Sequence, residues 1–251
     1  MAEIEVYFLG TNGWFTTHTG NTVSVLLKTK DYSIICDAGE GLQYLDEYAD
    51  QTKPAFLFLS HFHIDHIVGL HLLNKFHFKK GLKIITYPGG AGILKTFIHQ
   101  PFTISWEDLP FDVELVEIER GRHAQFPFGL VSEDLEHSSR CFGYRFEING
   151  KTITFCTDTG RCDGMLKLSD KADLLITECA YKSGQENAGW PHLNPEKAAQ
   201  IAKDANVKQL VLTHFDAQLY KTKQDRLDAQ KVAKKIFLNT LAAEDRMSLQ
   251  V

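Results

Sequence analysis

Residues 60–66 read SHFHIDH and directly follow Ala55–Leu59, an apolar run with the length of a buried strand. Four potential metal ligands, three histidines and one aspartate, stand within six positions. Neutral imidazoles and a carboxylate suit Zn²⁺ and related first-row metals. Because functional sites are usually built on the loops that follow strands, we expect a metal site here.

The spacing inside this stretch indicates two metal positions. His61 and His63 are two residues apart, so an extended backbone points both side chains to one side. Asp65 and His66 come after the chain has to turn, so they can address a second position nearby. The alternative is a polar loop that happens to be rich in histidine. With 11 histidines in 251 residues, the clustering of three beside an aspartate favours the metal site.

Composition sets broad limits on the function. The chain has 251 residues, 43% hydrophobic and 24% charged, which is ordinary for a globular protein. Its net charge of -5 argues against broad nucleic-acid binding, although a local positive cleft is not excluded. No signal peptide and no apolar run long enough to span a membrane is visible. The five cysteines form no Cys-x-x-Cys pair, so we expect buried free thiols and a cytoplasmic protein.

Strand and helix patterns alternate in both halves of the chain. Asn149-Gly150 separates two alternating runs and is a strong hairpin signal. A helix should begin after Asn194, which suits the N-cap, with Pro195 at the first helical position. We predict α/β or α+β layers in one domain over residues 1–251. The predicted strands are 4–9, 23–28, 33–36, 55–59, 83–87, 142–148, 152–156, 174–177, 209–213 and 247–251, and the other predicted helices are 42–48, 70–78 and 223–238.

The stretch His61–His66 resembles the His-x-His-x-Asp-His signature of the metallo-β-lactamase superfamily. Four further motifs resemble those of the family and occur in its order along nearly the whole chain. They are Asp37 in the segment 35–41, His137 in Leu-Glu-His, Asp158 in Thr-Asp-Thr-Gly, and His214 in Leu-Thr-His-Phe. The resemblance implies an α/β fold, a four-layered αββα sandwich with the metals at one edge between the sheets.

The resemblance also implies a ligand set for two divalent ions. One ion would be bound by His61, His63 and His137, the other by Asp65, His66 and His214, and Asp158 would bridge both. Asp37 would accept a hydrogen bond from a ligand histidine and fix its tautomer. We expect Zn²⁺, although these ligand types also serve Mn and Fe. A metal-bridging hydroxide would then make hydrolysis the default reaction.

A lone histidine, His192, lies in the stretch GWPHLNP at residues 189–195. Residues 178–215 resemble the RNase Z branch of phosphodiesterases, as do residues 8–11 and 37–43. In that branch the corresponding histidine contacts the scissile phosphate and protonates the leaving oxygen, a role suited to an imidazole at neutral pH. The resemblance thus implies His192 as general acid, with Asp65 as the second catalytic residue. The alternative is an ordinary loop histidine.

Two departures from that branch bear on the substrate. One hairpin occupies the residues between His137 and Asp158, where the tRNA-processing enzymes insert a long arm, and Thr177 stands where they often have histidine. We therefore expect a small or cyclic phosphodiester substrate and neither a long nucleic acid nor a membrane as partner. Trp14 and Trp190 are candidate substrate contacts, or else ordinary packing residues. A dimetal lactonase or thioesterase, a tRNA 3′-endonuclease, a vestigial binding module and, by analogy, a homodimer stay open.

Overall fold

A computed structural model describes residues 4–251. In chain order the strands are β1 (Glu5–Gly10), β2 (Asn12–Gly13), β3 (Ser24–Lys28), β4 (Ser33–Cys36), β5 (Ala55–Phe58), β6 (Leu82–Thr86), β7 (Val113–Glu117), β8 (Gly121–His123), β9 (Gly129–Asp134), β10 (Phe142–Ile148), β11 (Lys151–Cys156), β12 (Leu174–Glu178), β13 (Gln209–Thr213), β14 (Phe215–Asp216), β15 (Thr240–Ala242) and β16 (Met247–Gln250). The helices are α1 (Leu45–Tyr48), α2 (Ile64–Ile67), α3 (Gly90–Phe97), α4 (Asp163–Ser169), α5 (Pro195–Asp204) and α6 (Lys223–Lys234). Short 3₁₀ segments cover Glu40–Tyr44, Val68–Lys75 and Trp106–Asp108.

Two seven-stranded sheets form the centre of the fold, in the orders β16-β1-β3-β4-β5-β6-β7 and β15-β13-β12-β11-β10-β9-β8. Each sheet has a parallel part, β4 to β7 in the first and β11, β12, β13 and β15 in the second. The remaining pairings within these two sheets are antiparallel. A separate two-stranded ribbon joins β2 to β14.

Three apolar clusters divide the molecule into four layers. The largest lies between the two sheets and includes Phe58, Tyr144 and Phe146. A second cluster packs α4, α5 and α6 against the outer face of the second sheet. The third packs α1, α3 and the 3₁₀ segments against the outer face of the first sheet. The predicted αββα sandwich is therefore confirmed. Among the residues described, no helix is both long enough and apolar enough to cross a membrane.

The local signals with the clearest chemistry are confirmed. Asn149 and Gly150 both have positive φ, 52° and 78°, and they join β10 to β11 as the hairpin signal predicts. The Asn194 side chain accepts a hydrogen bond of 2.9 Å from the Lys197 backbone N–H and caps α5, with Pro195 as its first residue. Both features depend on a few adjacent residues, which is why the sequence alone could predict them.

Other elements differ from the sequence prediction. The predicted helix over 70–78 is a 3₁₀ segment, Val68–Lys75, near whose start the Gly69 backbone N–H donates to the Ala38 carbonyl. Helix α6 ends at Lys234, before the predicted Leu238, where the chain turns. Strands β7, β8 and β9 and helices α3 and α4 were not predicted, since they carry weaker periodic patterns.

The strand directions bring several chain segments to one edge of the sandwich. Strands β4, β5, β9, β11, β12 and β13 all end at that edge, and the loops after them carry the motif residues. The Tyr144 hydroxyl donates a 2.7 Å hydrogen bond to the Leu59 carbonyl and links the two sheets beside the loop that begins at Ser60. The fold thus gathers distant motifs into one place.

Candidate metal centre

The structure brings all seven predicted ligands together in two neighbouring groups. The ligand atoms of each group lie within 4.8 Å of one another. The first group holds His61, His63, His137 and Asp158, and the second holds Asp65, His66 and His214. These are the two sets that the resemblance implies, and each has the donor types that first-row divalent metals favour.

Asp158 lies between the two groups. Its Oδ1 is 3.2 Å from Nε2 of His66 and 3.1 Å from Nε2 of His214. Its Oδ2 faces the other group, 3.8 Å from Nε2 of both His61 and His137. One carboxylate oxygen therefore faces each group, which is the arrangement that a bridging ligand needs.

Four of the eight described non-glycine residues with positive φ lie at this edge. Asp37, Asp158 and His214 have left-handed φ values of 58°, 58° and 49°, and Trp14 has a φ of 73°. Non-glycine residues held there cost of order 1–3 kcal/mol each and tend to cluster at active sites. Gly13 approaches His214 so closely that a Cβ would lie 2.4 Å from Cε1 of the ring, so glycine is required at that position. The surrounding fold holds these side chains in a geometry that the local chain would not choose.

The protonation of the histidines fits metal binding. Burial lowers the pKa of His61 well below its usual value and that of His137 to about 4, so both rings are neutral and offer lone pairs. The buried Nε2 of His61 has no hydrogen-bond partner among the described residues. Burial also opposes the charge on His66, but Asp158 and Asp65 raise its pKa, so a cation would replace a proton there.

Further groups orient the histidine rings. Nδ1 of His66 lies 2.8 Å from Oδ2 of Asp37, whose Oδ1 accepts a 2.7 Å hydrogen bond from the Ser60 backbone N–H. The Ser60 hydroxyl is 3.0 Å from Nδ1 of His61, and the Ser139 hydroxyl is 2.8 Å from Nε2 of His63. The sequence analysis did not identify the two serines, although Ser60 adjoins the histidine motif. In each of these three rings, the nitrogen that does not make the contact faces the other candidate metal ligands: Nε2 of His66, Nε2 of His61 and Nδ1 of His63.

Replacing Asp37 with asparagine should weaken metal binding about 10–100-fold, the usual effect of losing a group that orients a metal-binding histidine. Asparagine keeps the size of the side chain but removes the charge that holds His66 Nδ1–H, and it sets an amide donor close to the Ser60 N–H. Competition with a chelator for Zn²⁺ measures the affinity, and thermal unfolding of the metal-free proteins shows whether the fold is intact. An affinity equal to wild type in a folded Asp37→Asn protein would contradict this role.

A cavity of about 440 Å³ opens beside the cluster. Asp65, Asp158 and His214 form its floor, and Trp14, Trp190 and His192 stand on its walls. Both tryptophans therefore line the pocket, a position that the sequence analysis left open, and a contact with substrate stays a prediction. The Trp14 backbone N–H donates a 2.7 Å hydrogen bond to Oδ2 of Asp65, which connects the first loop of the chain to the cluster.

His192 is held over the cluster by Glu178. Its Nδ1 lies 2.7 Å from Oε1 of Glu178, and its ring centre is 5.3 Å from that of His137 and 6.2 Å from that of His214. Its Nε2 makes no hydrogen bond to any described residue and belongs to the pocket wall. Burial disfavours the charged ring, but the Glu178 carboxylate outweighs burial and raises the pKa of His192 to about 9.

Glu178 is the functional residue that the sequence analysis missed. It is fully buried at the end of β12, where a carboxylate needs partners. Besides His192, it accepts hydrogen bonds from the backbone N–H groups of Thr159, Leu193 and Ala180. The sequence signals were a glutamate that follows the apolar run Leu174–Thr177 and its place at the start of the segment 178–215 that resembles the RNase Z branch, but neither assigned it a role. Its partner stands 14 positions later, so the pair becomes visible only in the fold.

Comparison with known proteins agrees with this geometry. The family described as "Beta-lactamase superfamily domain" matches residues 32–215. The chain is 26% identical to ribonuclease Z of Exiguobacterium sibiricum over 303 aligned positions, which cover 99% of each protein. It is 27% identical to ribonuclease Z of Methanosarcina mazei, covering 99% of this chain and 98% of the relative. Because each alignment is longer than this chain of 251 residues, the relatives contain residues that are absent here.

Solved structures show the same fold. YhfI from Bacillus subtilis superimposes with a TM-score of 0.83 at 24% identity, covering both chains completely. The short form of human tRNase Z gives a TM-score of 0.75 at 25% identity and 98% coverage of each chain. A diphosphatase of the PhnP family gives 0.75 at 16% identity, covering 99% of this chain and 98% of the other. The chain belongs to the β-lactamase superfamily and, within it, to the ribonuclease Z-like branch of metal-dependent hydrolases.

Proposed function

We propose that this protein is a dimetal phosphodiesterase that acts on small or cyclic phosphodiesters, with His192 as the general acid. The observation that carries the proposal is the His192–Glu178 pair, whose imidazole stands over the candidate ligands with Nε2 toward the pocket. A hydrolase of a diester has to protonate an alkoxide leaving group, and this histidine is placed to do so. Hydrolysis of a thioester requires no such group, because the thiolate can leave without a proton.

The seven candidate ligands would hold two divalent ions, and we favour Zn²⁺ over Mn²⁺ or Fe because imidazole donors dominate the set. Bound there, two divalent ions supply a nucleophile from water near neutral pH and draw charge from the phosphoryl oxygens. The bridging role is assigned to Asp158, whose two oxygens face different groups. The five free cysteines support our expectation of a reducing compartment, the cytoplasm.

Two side chains at the pocket would carry out the proton transfers, one as donor and one as acceptor. Nε2–H of His192 gives its proton to the leaving oxygen as the phosphorus–oxygen bond breaks, and Glu178 keeps the ring oriented throughout. Asp65 is fixed through Oδ2 by the Trp14 N–H and forms part of the pocket floor, so it can accept a proton from the attacking water. The protein thus provides both an acid and a base.

The hairpin between His137 and Asp158 bears on the size of the substrate. Residues 138–157 hold β10, β11 and their two-residue turn, which leaves no room for a long arm in this interval. The names of the relatives, ribonuclease Z and tRNase Z, point to RNA substrates and so argue against our expectation that this protein does not act on long nucleic acids. We nevertheless favour a small diester, because the relatives contain residues that this chain lacks. The tRNA 3′-endonuclease stays the alternative to be tested.

A substrate panel with metal analysis on the same sample tests the proposal. We expect turnover of bis(p-nitrophenyl) phosphate and of a cyclic nucleotide, about two metal ions per chain, and loss of both metal and turnover after chelation and in His63→Ala. A lactone, a thioester and a precursor tRNA carrying a 3′ extension represent the alternatives. A fully metal-loaded wild-type protein that hydrolyses the esters or the tRNA but none of the small diesters would refute the proposal.

A further inference from the structure

The wall of the pocket carries an unusual balance of charge. Three carboxylates line it, Asp65, Asp158 and Asp216, and no lysine or arginine does so within residues 4–251. Asp65 and Asp158 belong to the candidate ligand set, so two bound divalent ions would more than neutralise their charge. His192 is paired with Glu178. The carboxylate of Asp216 is therefore the remaining charge on this wall.

The Asp216 carboxylate forms no ion pair with any described residue, although it lies close enough to His192 to help raise the pKa of that ring. Its Oδ1 accepts a 2.7 Å hydrogen bond from the Gln218 backbone N–H, and neither an ion pair nor a second hydrogen-bond donor reaches its side chain from the part of the chain that is described. The residue ends β14, which pairs with β2, and Ala217 N–H donates to the Gly13 carbonyl just before Trp14. The backbone on both sides is thus held, and the carboxylate is kept at the pocket.

Two exposed tryptophans complete the mouth of the pocket. Trp14 is 59% exposed. Its φ of 73° makes it a clear conformational outlier for a bulky residue. A turn that needed only the backbone would be less strained with glycine or asparagine. The Trp190 ring lies parallel to that of His63, at 5° and 6.2 Å between centres, and is 38% exposed. Flat apolar faces of this kind stack on nucleobases.

We propose that this pocket selects phosphodiesters that carry one negative charge and an aromatic substituent such as a nucleobase, and that Asp216 rejects substrates with a second anionic group. The inference rests on the proposed function, because it assigns the substrate class of the same site. A second phosphate would find no lysine or arginine on the described wall and would face the Asp216 carboxylate. Specificity is commonly obtained by such a repulsive element against the wrong ligand.

The test compares two dinucleotides that differ by one phosphate, adenylyl-adenosine with and without a 5′-terminal phosphate. We expect wild type to favour the unphosphorylated form in kcat/KM by about tenfold or more, since like charges across a binding site are strongly unfavourable. Asp216→Asn should bring the ratio close to one, because asparagine keeps the Gln218 hydrogen bond but loses the charge. Asp31→Asn, an exposed aspartate at the opposite end of β4, should keep the wild-type ratio.

A binding measurement on the chelator-treated protein is independent of turnover. The chain has three tryptophans, and Trp106 lines a different cavity, so quenching of tryptophan fluorescence by adenosine reports on the other two. We expect adenosine to bind more tightly than adenosine 5′-monophosphate. Asp65 and Asp158 also repel the phosphate in the metal-free protein, so the narrowing of the difference by Asp216→Asn is the measure of Asp216. Trp14→Leu and Trp190→Leu should each reduce the quenching.

The outcomes separate this inference from the proposed function. Equal rates on both dinucleotides, or a preference that persists in Asp216→Asn, would overturn the inference while turnover of bis(p-nitrophenyl) phosphate upholds the diesterase. If no diester is hydrolysed, the proposed function fails, and the fluorescence titration then decides the charge selectivity by itself. A preference for adenosine that is the same in Asp216→Asn as in wild type, or no preference at all, would refute the role of Asp216 in that selectivity.

Discussion

Asp158→Ala should lose both metal ions and lower kcat/KM for bis(p-nitrophenyl) phosphate by about 10³-fold or more, since the charge stabilisation at the phosphoryl group depends on the bound metals. The residue is 3% exposed, and its two oxygens face the two histidine groups. Its removal leaves both groups without their shared anion, whereas loss of any single histidine affects one group. Metal content by elemental analysis and steady-state kinetics measure the two effects.

Asp173→Ala is a matched control for this variant. Asp173 immediately precedes β12, at the end of the second sheet opposite to Asp158. Its side chain is 11% exposed and accepts hydrogen bonds from Lys208 and from the Thr152 backbone N–H. We expect this control to lose some stability but to keep its metals and its turnover. A folded Asp158→Ala protein that still holds about two metal ions and turns over diesters at the wild-type rate would contradict the bridging assignment.

His192→Ala should lower the turnover of a diester with an alkoxide leaving group by about 10²–10⁴-fold, the usual contribution of a general acid. The same variant should affect bis(p-nitrophenyl) phosphate far less, because p-nitrophenolate is a stable anion that leaves without a proton. The contrast follows from the position of Nε2, which lies on the pocket wall and outside both groups of candidate ligands. Initial rates on the two substrates, with metal content measured in parallel, give the comparison.

Two further variants make this result specific. Glu178→Gln should show a smaller loss with the same dependence on the leaving group, because the amide holds the ring but no longer stabilises its charge. His123→Ala, which removes a half-buried histidine bonded to Ser132 outside the site, should retain full activity. Equal losses on both substrates in His192→Ala, or a loss of metal, would show that His192 supports the centre and does not donate the proton.

The predictable part of the fold and site consists of features encoded by neighbouring residues. Three such features are the cap of α5, the Asn149-Gly150 turn and the buried strands before each motif. Each depends on residues only a few positions apart, so it could be predicted from the sequence. The candidate ligands in the stretch 61–66 could be predicted from their clustering, whereas His137, Asp158 and His214, each of which alone could be an ordinary loop or turn residue, were assigned through the resemblance to the ordered motifs of the superfamily. Segments such as β7 to β9 lack a strong pattern, because their side chains are only partly buried.

The sequence by itself determined the superfamily, the layered sandwich, the types of ligand and the order in which they occur. Only the tertiary structure decided which residues act together. It placed Asp158 between two groups of histidines, paired Glu178 with His192, and left Asp216 on the pocket wall without an ion pair to any described lysine or arginine. The physical reason is that these relations depend on distances between loops that follow different strands. Such distances are set by sheet order and packing, which no short stretch of sequence contains.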